Sequence, residues 1–550
     1  MRTRRNEFLP IARLPPEILS HIFSFHAIEN PPNPPGLGWI TVTHVCHRWR
    51  QVALADPNLW STVAFNLGTE WAEEMLARSK AALISYNRDL SSQPSTFRRK
   101  TSLDDEVVLR EHLSHVRQLN LFGYAASLAP AARALTTPAP HLESLKLSSA
   151  PRLGLREPCL TLPSDLFAHD APKLRHVTLF GCAVPWDDSP LFFCGPTGLT
   201  HLDIRFRLPP AFPFHSAPAG QPDLMLIPTF ERLLSILEAM PFLQELTLAN
   251  CLPPARSTSR VVPLRHMSQL SLEGSLPEVV AVLERVFLPS SASLSLHCPD
   301  NNLLDGLLDN LVSLLASHFR AAEIPISPLS TMLIDESDFG HFLTLMVWDT
   351  EVPLHRPPQF KPLAPVRLHL TFGVKSLPLQ VCKALPLRDL QTLSVMCPEA
   401  AWSATGWVDV CTHCPKVTHL LVRASSAFTL FPTLRQRNDA FPCLVTLDLH
   451  NIDFSPPPSP EHTEVVGEVF LVILRARSNA GIPVRRVALS SCSRADIWIK
   501  LFREVVNYVR WVPDPDTTTS YSDSHPSSAS ERDYDDSGSD RDSDDSDEYQ

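Results

Sequence analysis

The sequence predicts an α/β repeat protein in three parts: a small all-α three-helix module, a long irregular repeat, and a disordered tail. Three observations predict this. Apolar residues at helical spacing, broken by prolines, fill the first sixty or so positions. One aliphatic phrase then recurs, several times at intervals of 24 to 27 residues and elsewhere at longer ones that imply inserted loops or helices. Last, the stretch from Asp514 to Gln550 holds almost no aliphatic side chain. The 53 prolines, against 17 glycines, argue for many short elements rather than long helices.

In the first module, Leu14-Pro-Pro-Glu-Ile-Leu-Ser-His-Ile-Phe23 places prolines where a helix begins, where the missing N–H is harmless. Ile18, Leu19, Ile22 and Phe23 follow at helical spacing. Asn30 to Gly38 (NPPNPPGLG) must be a loop. A second helical pattern runs from Ile40 to Ala55, with Val42, Val45, Cys46, Trp49, Val52 and Ala53 on or near one face. Asp56-Pro57 breaks it, and Leu59-Trp60 add two large apolar groups. So apolar and small a unit is either the start of a larger core or a surface for a partner.

Leu14-Pro15-Pro16-Glu17-Ile18-Leu19, Val45-Cys46-His47-Arg48-Trp49 and Asp56-Pro57-Asn58-Leu59-Trp60 together resemble the F-box, whose pattern is L-P-x-E-(I/L)-L, then V-C-x-R-W, then D-P-x-L-W. The proline-rich insertion between the first two fragments departs from the shortest F-boxes and resembles the variant common in large fungal F-box families. The resemblance implies docking onto a Skp-type adaptor and, through it, a cullin scaffold. It places Leu14, Pro15, Ile18, Leu19 and Ile22 facing the adaptor, and Val45, Trp49, Leu59 and Trp60 either at that surface or holding the helices together. The module is expected over residues 10–65.

Residues 66–512 are expected to form the repeat. Trp71 to Ser79 suits a helix, and Ala81 to Tyr86 a first strand. The phrase, aliphatic-x-x-aliphatic-x-aliphatic, appears at Leu142-Leu145-Leu147, Leu174-Val177-Leu179, Leu199-Leu202-Ile204, Leu243-Leu246-Leu248 and Met267-Leu270-Leu272. It returns at Leu390-Leu393-Val395, Val417-Leu420-Val422, Leu444-Leu447-Leu449 and Val484-Val487-Leu489. Weaker copies lie at Val116-Leu119-Leu121, Leu294-Leu296 and Leu368-Leu370. Pro140, Pro172, Pro241, Pro415 and Pro442 each stand two residues before a copy.

The period and the phrase resemble degenerate leucine-rich repeats, which implies a curved parallel sheet with helices on its convex side. In a strand the two aliphatics of L-x-L point one way and the residue between them the other. Those between-residues, Asn120, Lys146, Thr178, Asp203, Thr247, Ser271, Ser394 and Asp448, are polar, whereas Leu421 and Ala488 are exceptions. Lys146, Thr178, Asp203, Thr247, Ser271, Ser394 and Asp448 are therefore candidate substrate contacts, with Glu143, His176, His201, Arg205, Glu245 and Gln269 as neighbours. The repeat resemblance also expects Asn or Cys three residues after the last aliphatic, where Cys182, Cys251 and Cys492 stand. Phe230 to Ala239 and Leu303 to Phe319 read as helices.

The net charge of −11 belongs to one place. Asp514 to Gln550 carries thirteen acids and two arginines, leaving 46 basic and 46 acidic side chains elsewhere. Charge therefore points to neither nucleic acid nor membrane. The tail, 513–550, is expected to be disordered. Ser520, Ser528, Ser530, Ser537 and Ser539 each precede an acid by three residues, resembling acid-directed kinase sites.

Twelve scattered cysteines and no signal-peptide pattern predict reduced thiols in cytoplasm or nucleus. G-x-S-x-G, H-E-x-x-H, G-x-x-x-x-G-K-[ST] and G-x-G-x-x-G do not occur. Cys411-Thr-His413-Cys414 with His419 lacks a second half for a four-ligand zinc site. The expectation is a protein without cofactor or metal that binds an adaptor, a cullin and a protein substrate, and is not an enzyme.

Overall fold

The computed structural model describes residues 10–91, 105–150, 159–187, 189–193, 198–206, 227–256, 258–299, 305–320, 327–336, 342–354, 365–373, 377–397, 402–437, 439–455 and 465–512. Helix α1 (Pro16–Glu29) starts on its proline, as expected. The second helical stretch is not continuous. A 3₁₀ turn covers Gly38–His44, Cys46 is extended, and α2 (His47–Ala55) follows. The tighter turn buries Trp39, Ile40, Val42 and Thr43 together, since three residues per turn bring 39 and 42, and 40 and 43, onto shared faces. Gly38 has φ +55°, and a Cβ there would lie 2.5 Å from the Asn30 carbonyl oxygen, so the proline loop closes only on glycine.

Among the described residues, seventeen strands join in one sheet. They are β1 (Thr62–Ala64), β2 (Ile84–Asp89), β3 (Val116–Tyr124), β4 (Ser144–Ala150), β5 (His176–Phe180), β6 (His201–Arg205), β7 (Glu245–Ala249), β8 (Gln269–Glu273) and β9 (Ser293–Cys298). Then follow β10 (Thr331–Glu336), β11 (Leu343–Trp348), β12 (Leu368–Phe372), β13 (Thr392–Met396), β14 (His419–Arg423), β15 (Thr446–His450), β16 (Arg486–Ser490) and β17 (Tyr508–Val512). Each strand pairs with the next in sequence and parallel to it, with one exception. From β9 the chain passes over two strand places to β10, returns by an antiparallel β11, and sets β12 beside β9, while β13 pairs with β10. The sheet is therefore mostly rather than wholly parallel.

Helices line one side: α3 (Thr69–Ser79), α4 (Asp105–His112), α5 (Ala125–Ala134), α6 (Phe230–Glu238), α7 (Leu276–Arg285), α8 (Asp305–Arg320), α9 (Leu377–Ala384), α10 (Ala404–His413), α11 (Ala424–Gln436), α12 (Val466–Asn479) and α13 (Asp496–Val505). The two helices expected at 230–239 and 303–319 are α6 and α8. The repeated aliphatics stand in register, Leu119, Leu145, Val177, Leu202, Leu246 and Leu270 across one row. All are buried, and with the helices they form one core. Burying each such side chain contributes about 1.5–3 kcal/mol.

The turns leaving the strands repeat too. Gly181, Asn250, Asn451 and Ser491, each two residues after a last aliphatic, all have positive φ. The next residue tucks inward. Cys182, Cys251 and Cys492 each point Sγ at the carbonyl of Leu147, Ile204 and Leu449 respectively, weak bonds that nevertheless occupy a buried oxygen. Among the described residues, no helix is long and apolar enough to cross a membrane.

Candidate functional site

The N-terminal module has its own core, made by Leu19, Phe23, Trp39, Ile40, Val42, Ala53, Leu59, Trp60 and Met75. Its three sequence fragments each perform a recognisable local task. The Arg48 guanidinium donates to the Leu14 carbonyl, tying α2 to the start of α1. Trp49 lies against Phe23 with ring centroids 5.2 Å apart. Asp56 accepts from the Asn58 N–H at 2.9 Å and from Ser20, and so caps the short turn Pro57–Trp60 while holding α1. The Trp60 indole donates to the Ala53 carbonyl at 2.8 Å, and Arg78 from α3 stacks on its ring at 4.3 Å.

What this core leaves out defines the site. Helix α1 is apolar on two faces. Leu19 and Phe23 are buried, but Ile18, Ile22, Phe25 and Ile28 are 47%, 42%, 59% and 78% exposed. Residues 18, 22 and 25 fall on one face of the helix. A helix apolar on both sides is normally covered on both sides, so this stripe, with exposed Val45 and Ile11 on the same module, has the form of a partner surface. Of the nine residues assigned to docking by resemblance, Pro15, Ile18, Ile22 and Val45 are exposed, Leu14 and Trp49 half-buried, and Leu19, Leu59 and Trp60 are core. Phe25 and Ile28 belong to the exposed set and were missed, although their spacing from Ile18 and Ile22 was readable.

On the sheet, Lys146, Thr178, Asp203, Thr247 and Ser271 occupy adjacent places in one row of the outward face, across β4–β8. Lys146 is exposed and the others half-buried. Some of the charges here are matched. Asp203 accepts from the Arg205 guanidinium at 2.7 and 3.0 Å, and His201 Nε2 lies 3.4 Å from Glu245. His176 stacks on His201 at 4.4 Å, and burial together with that neighbour lowers its pKa.

Ser394 departs from this pattern. It was expected to face solvent but is fully buried. After β11 the segment 349–354 crosses the outward face, and Trp348, Val352 and Leu354 form a second apolar layer with Leu333 and Leu421. The Val352 N–H donates to the Thr331 hydroxyl at 3.1 Å, and that hydroxyl donates to the Thr350 carbonyl at 3.0 Å. The one aliphatic between-residue of β14, Leu421, was the sequence sign of this cover. Beyond it Asp448 is half-buried and paired with His419 at 2.9 Å.

Cys414 ends α10, as its sequence position suggested, and Cys411 and Cys414 lie in the core, where burial pushes both thiols up to about 12. Ser520, Ser528, Ser530, Ser537 and Ser539 lie outside the described residues. A family model described as F-box-like matches residues 11–66. No curated protein sequence matches the chain. Residues 11–66 are thus an F-box-like domain, followed by a large, mostly parallel sheet with helices.

Proposed function

We propose that the protein is the substrate-recognition subunit of an SCF-type cullin–RING ubiquitin ligase. The F-box-like domain supports a role in adaptor binding, and the single observation carrying the finer reading is the open apolar stripe of α1. In this reading Ile18, Ile22, Phe25 and Ile28, with Pro15 and Val45, dock on a Skp-type adaptor that links the chain to the cullin. Aliphatic and aromatic anchors in such a patch dominate binding energy. The module spans 10–65, a degenerate leucine-rich-repeat solenoid 66–512, and the acidic tail 513–550.

The outward row Lys146, Thr178, Asp203, Thr247 and Ser271 then contacts a protein substrate. The chain supplies no chemistry of its own; it holds the substrate near a ubiquitin-loaded enzyme brought by the ligase. Free cysteines, eleven among the described residues, support a reducing compartment, cytoplasm or nucleus. The competing reading, that the helices merely cap the repeat, calls for Ile18, Ile22 and Trp60 to pack against the repeats; Trp60 is buried, but the exposure of Ile18 and Ile22 argues against it.

The test is capture of a purified Skp-type adaptor by the full chain, beside Ile18→Asp with Ile22→Asp. Capture by wild type and its loss in the variant, with unchanged circular dichroism, is the expected result. A wild-type chain that captures no adaptor overturns the proposal.

A further inference from the structure

We propose that the acidic segment 513–550 docks on the outward face of β14–β17 of its own chain. The folded part is neutral in total, but its charge is unevenly placed. Between residues 465 and 512 there are eight basic and three acidic side chains, four of the bases (Arg475, Arg477, Lys500 and Arg503) lying on α12 and α13. On the outward face of the last four strands, where Leu421 of β14 lies under the segment 349–354, Arg423, Arg486 and Arg510 remain exposed. Register puts Arg510 opposite Ala488 and Arg486 opposite Tyr508, so these two guanidiniums are diagonal neighbours on one face.

No described carboxylate pairs with any of the three. The only acid of these strands that faces outward, Asp448, is engaged by His419. On β4–β8, by contrast, outward Arg205 is paired with Asp203 and His201 with Glu245. Exposed arginines without a carboxylate partner favour an anionic occupant, and the chain supplies one: thirteen acids and two arginines in the segment starting immediately after Val512.

Reach is sufficient. Strands are about 4.8 Å apart, so Arg423 lies roughly 14 Å across the sheet from Arg510. The stretch from Val512 to Glu531, taken as a chain of about 5–6 Å × √n, spans on the order of 24 Å. The acids of 531–548 therefore cover the face without strain, and tethering holds them at an effective concentration on the order of millimolar. At physiological salt the screening length is about 8 Å, so the attraction acts once the segment is near the face. Phosphate on Ser530, Ser537 or Ser539 would add acceptors suited to forked guanidinium donors.

The experiment uses the full chain carrying Arg423→Lys, Arg486→Lys and Arg510→Lys, which keep the charge and introduce amines that a water-soluble carbodiimide couples to carboxylates. The native Lys500 on α13, exposed on the helix side of the sheet, is the internal control. Mass spectrometry should show links from the three introduced amines to acids of 513–550 at least fivefold above those from Lys500, falling at least fivefold at 0.5 M sodium chloride. Equal coupling to Lys500, insensitive to salt, means a segment that is tethered but not docked and overturns the proposal. Links that join isotopically heavy to light chains in a mixture assign the segment to a second copy and overturn it too. As a second readout, Arg486→Glu with Arg510→Glu should speed tryptic cleavage after Arg532 and Arg541 at least threefold; no change counts against docking.

Discussion

Helix α1 and the sheet face spanned by β4–β8 are both exposed, yet they are built on opposite terms. The helix shows solvent a stripe of isoleucine and phenylalanine interrupted by His21, which packs edge-on against Phe25, while its other side holds the module together through Leu19 and Phe23. The sheet turns every repeated aliphatic inward and shows solvent hydroxyls, histidines and matched charges. Apolar area left in water is unfavourable until a partner covers it, so the helix surface makes sense only with an occupant. The sheet face is content in water, and any partner it binds must replace contacts already made. A partner on α1 should thus depend steeply on a few residues, and a partner on the sheet weakly on many.

The largest expected effect follows. Ile18→Asp with Ile22→Asp places two carboxylates in the stripe, and adaptor affinity should fall more than a hundredfold, read by titration calorimetry, with thermal stability nearly unchanged because neither residue is core. Lys146→Ala or Thr247→Ala on the sheet should leave adaptor affinity within twofold. Equal sensitivity of the two regions would erase the contrast. Next in size, Trp60→Ala removes the largest buried side chain of the module, its bond to Ala53 and its stacking with Arg78; the loss should be about 3–5 kcal/mol, seen in urea unfolding. That variant also loses the adaptor, but by unfolding the module, which a thermal melt separates from the α1 variant.

How much of this was legible from residues alone differs between the regions for a physical reason. Local signals found α1, the proline loop, the helices at 230–239 and 303–319, and the in-register rows, because each depends on spacing within a few residues. The division of Ile18 and Ile22 from Leu19 and Phe23 was not legible: all four fit one apolar helix, and only the placement of Trp39, Ala53 and Trp60 decides which side is covered. The β10–β12 reversal was missed because antiparallel return strands need no fixed period, and β17 because Val506 and Val509 are followed by Trp511, an aromatic ring where the phrase has its last aliphatic. Ser394 read as outward and polar, which it is; what the spacing cannot show is a distant segment lying over it. Leu421 carried that information as an anomaly.

The covered part of the sheet allows a sharper version of the contrast. Leu421→Ala should cost about 2 kcal/mol, because it opens a gap beneath Val352 and Leu354. The equivalent change at a between-residue of the open face, Thr178→Ala, should stay within about 0.5 kcal/mol. Hydrogen exchange at residues 349–354 should accelerate in the first variant alone. Unaltered exchange there would show that the segment is held by Thr331 rather than by the apolar layer.

The smallest expected effect concerns pH. Burial lowers the pKa of His318 and of His369; Arg367 adds to the first and His297 to the second, while the Ala292 carbonyl, 3.1 Å from His318 Nε2, opposes only partly. Both rings are therefore neutral in the fold, whereas the unfolded chain takes up protons as pH falls through about 6.5. Their contribution is complete above that value and is lost progressively below it. The melting temperature should drop by about 1–3 °C between pH 7.5 and 5.5, and His318→Gln should flatten that slope. A melting temperature that does not change on acidification would place these rings in water rather than against the core, and one that rises would reverse the sign.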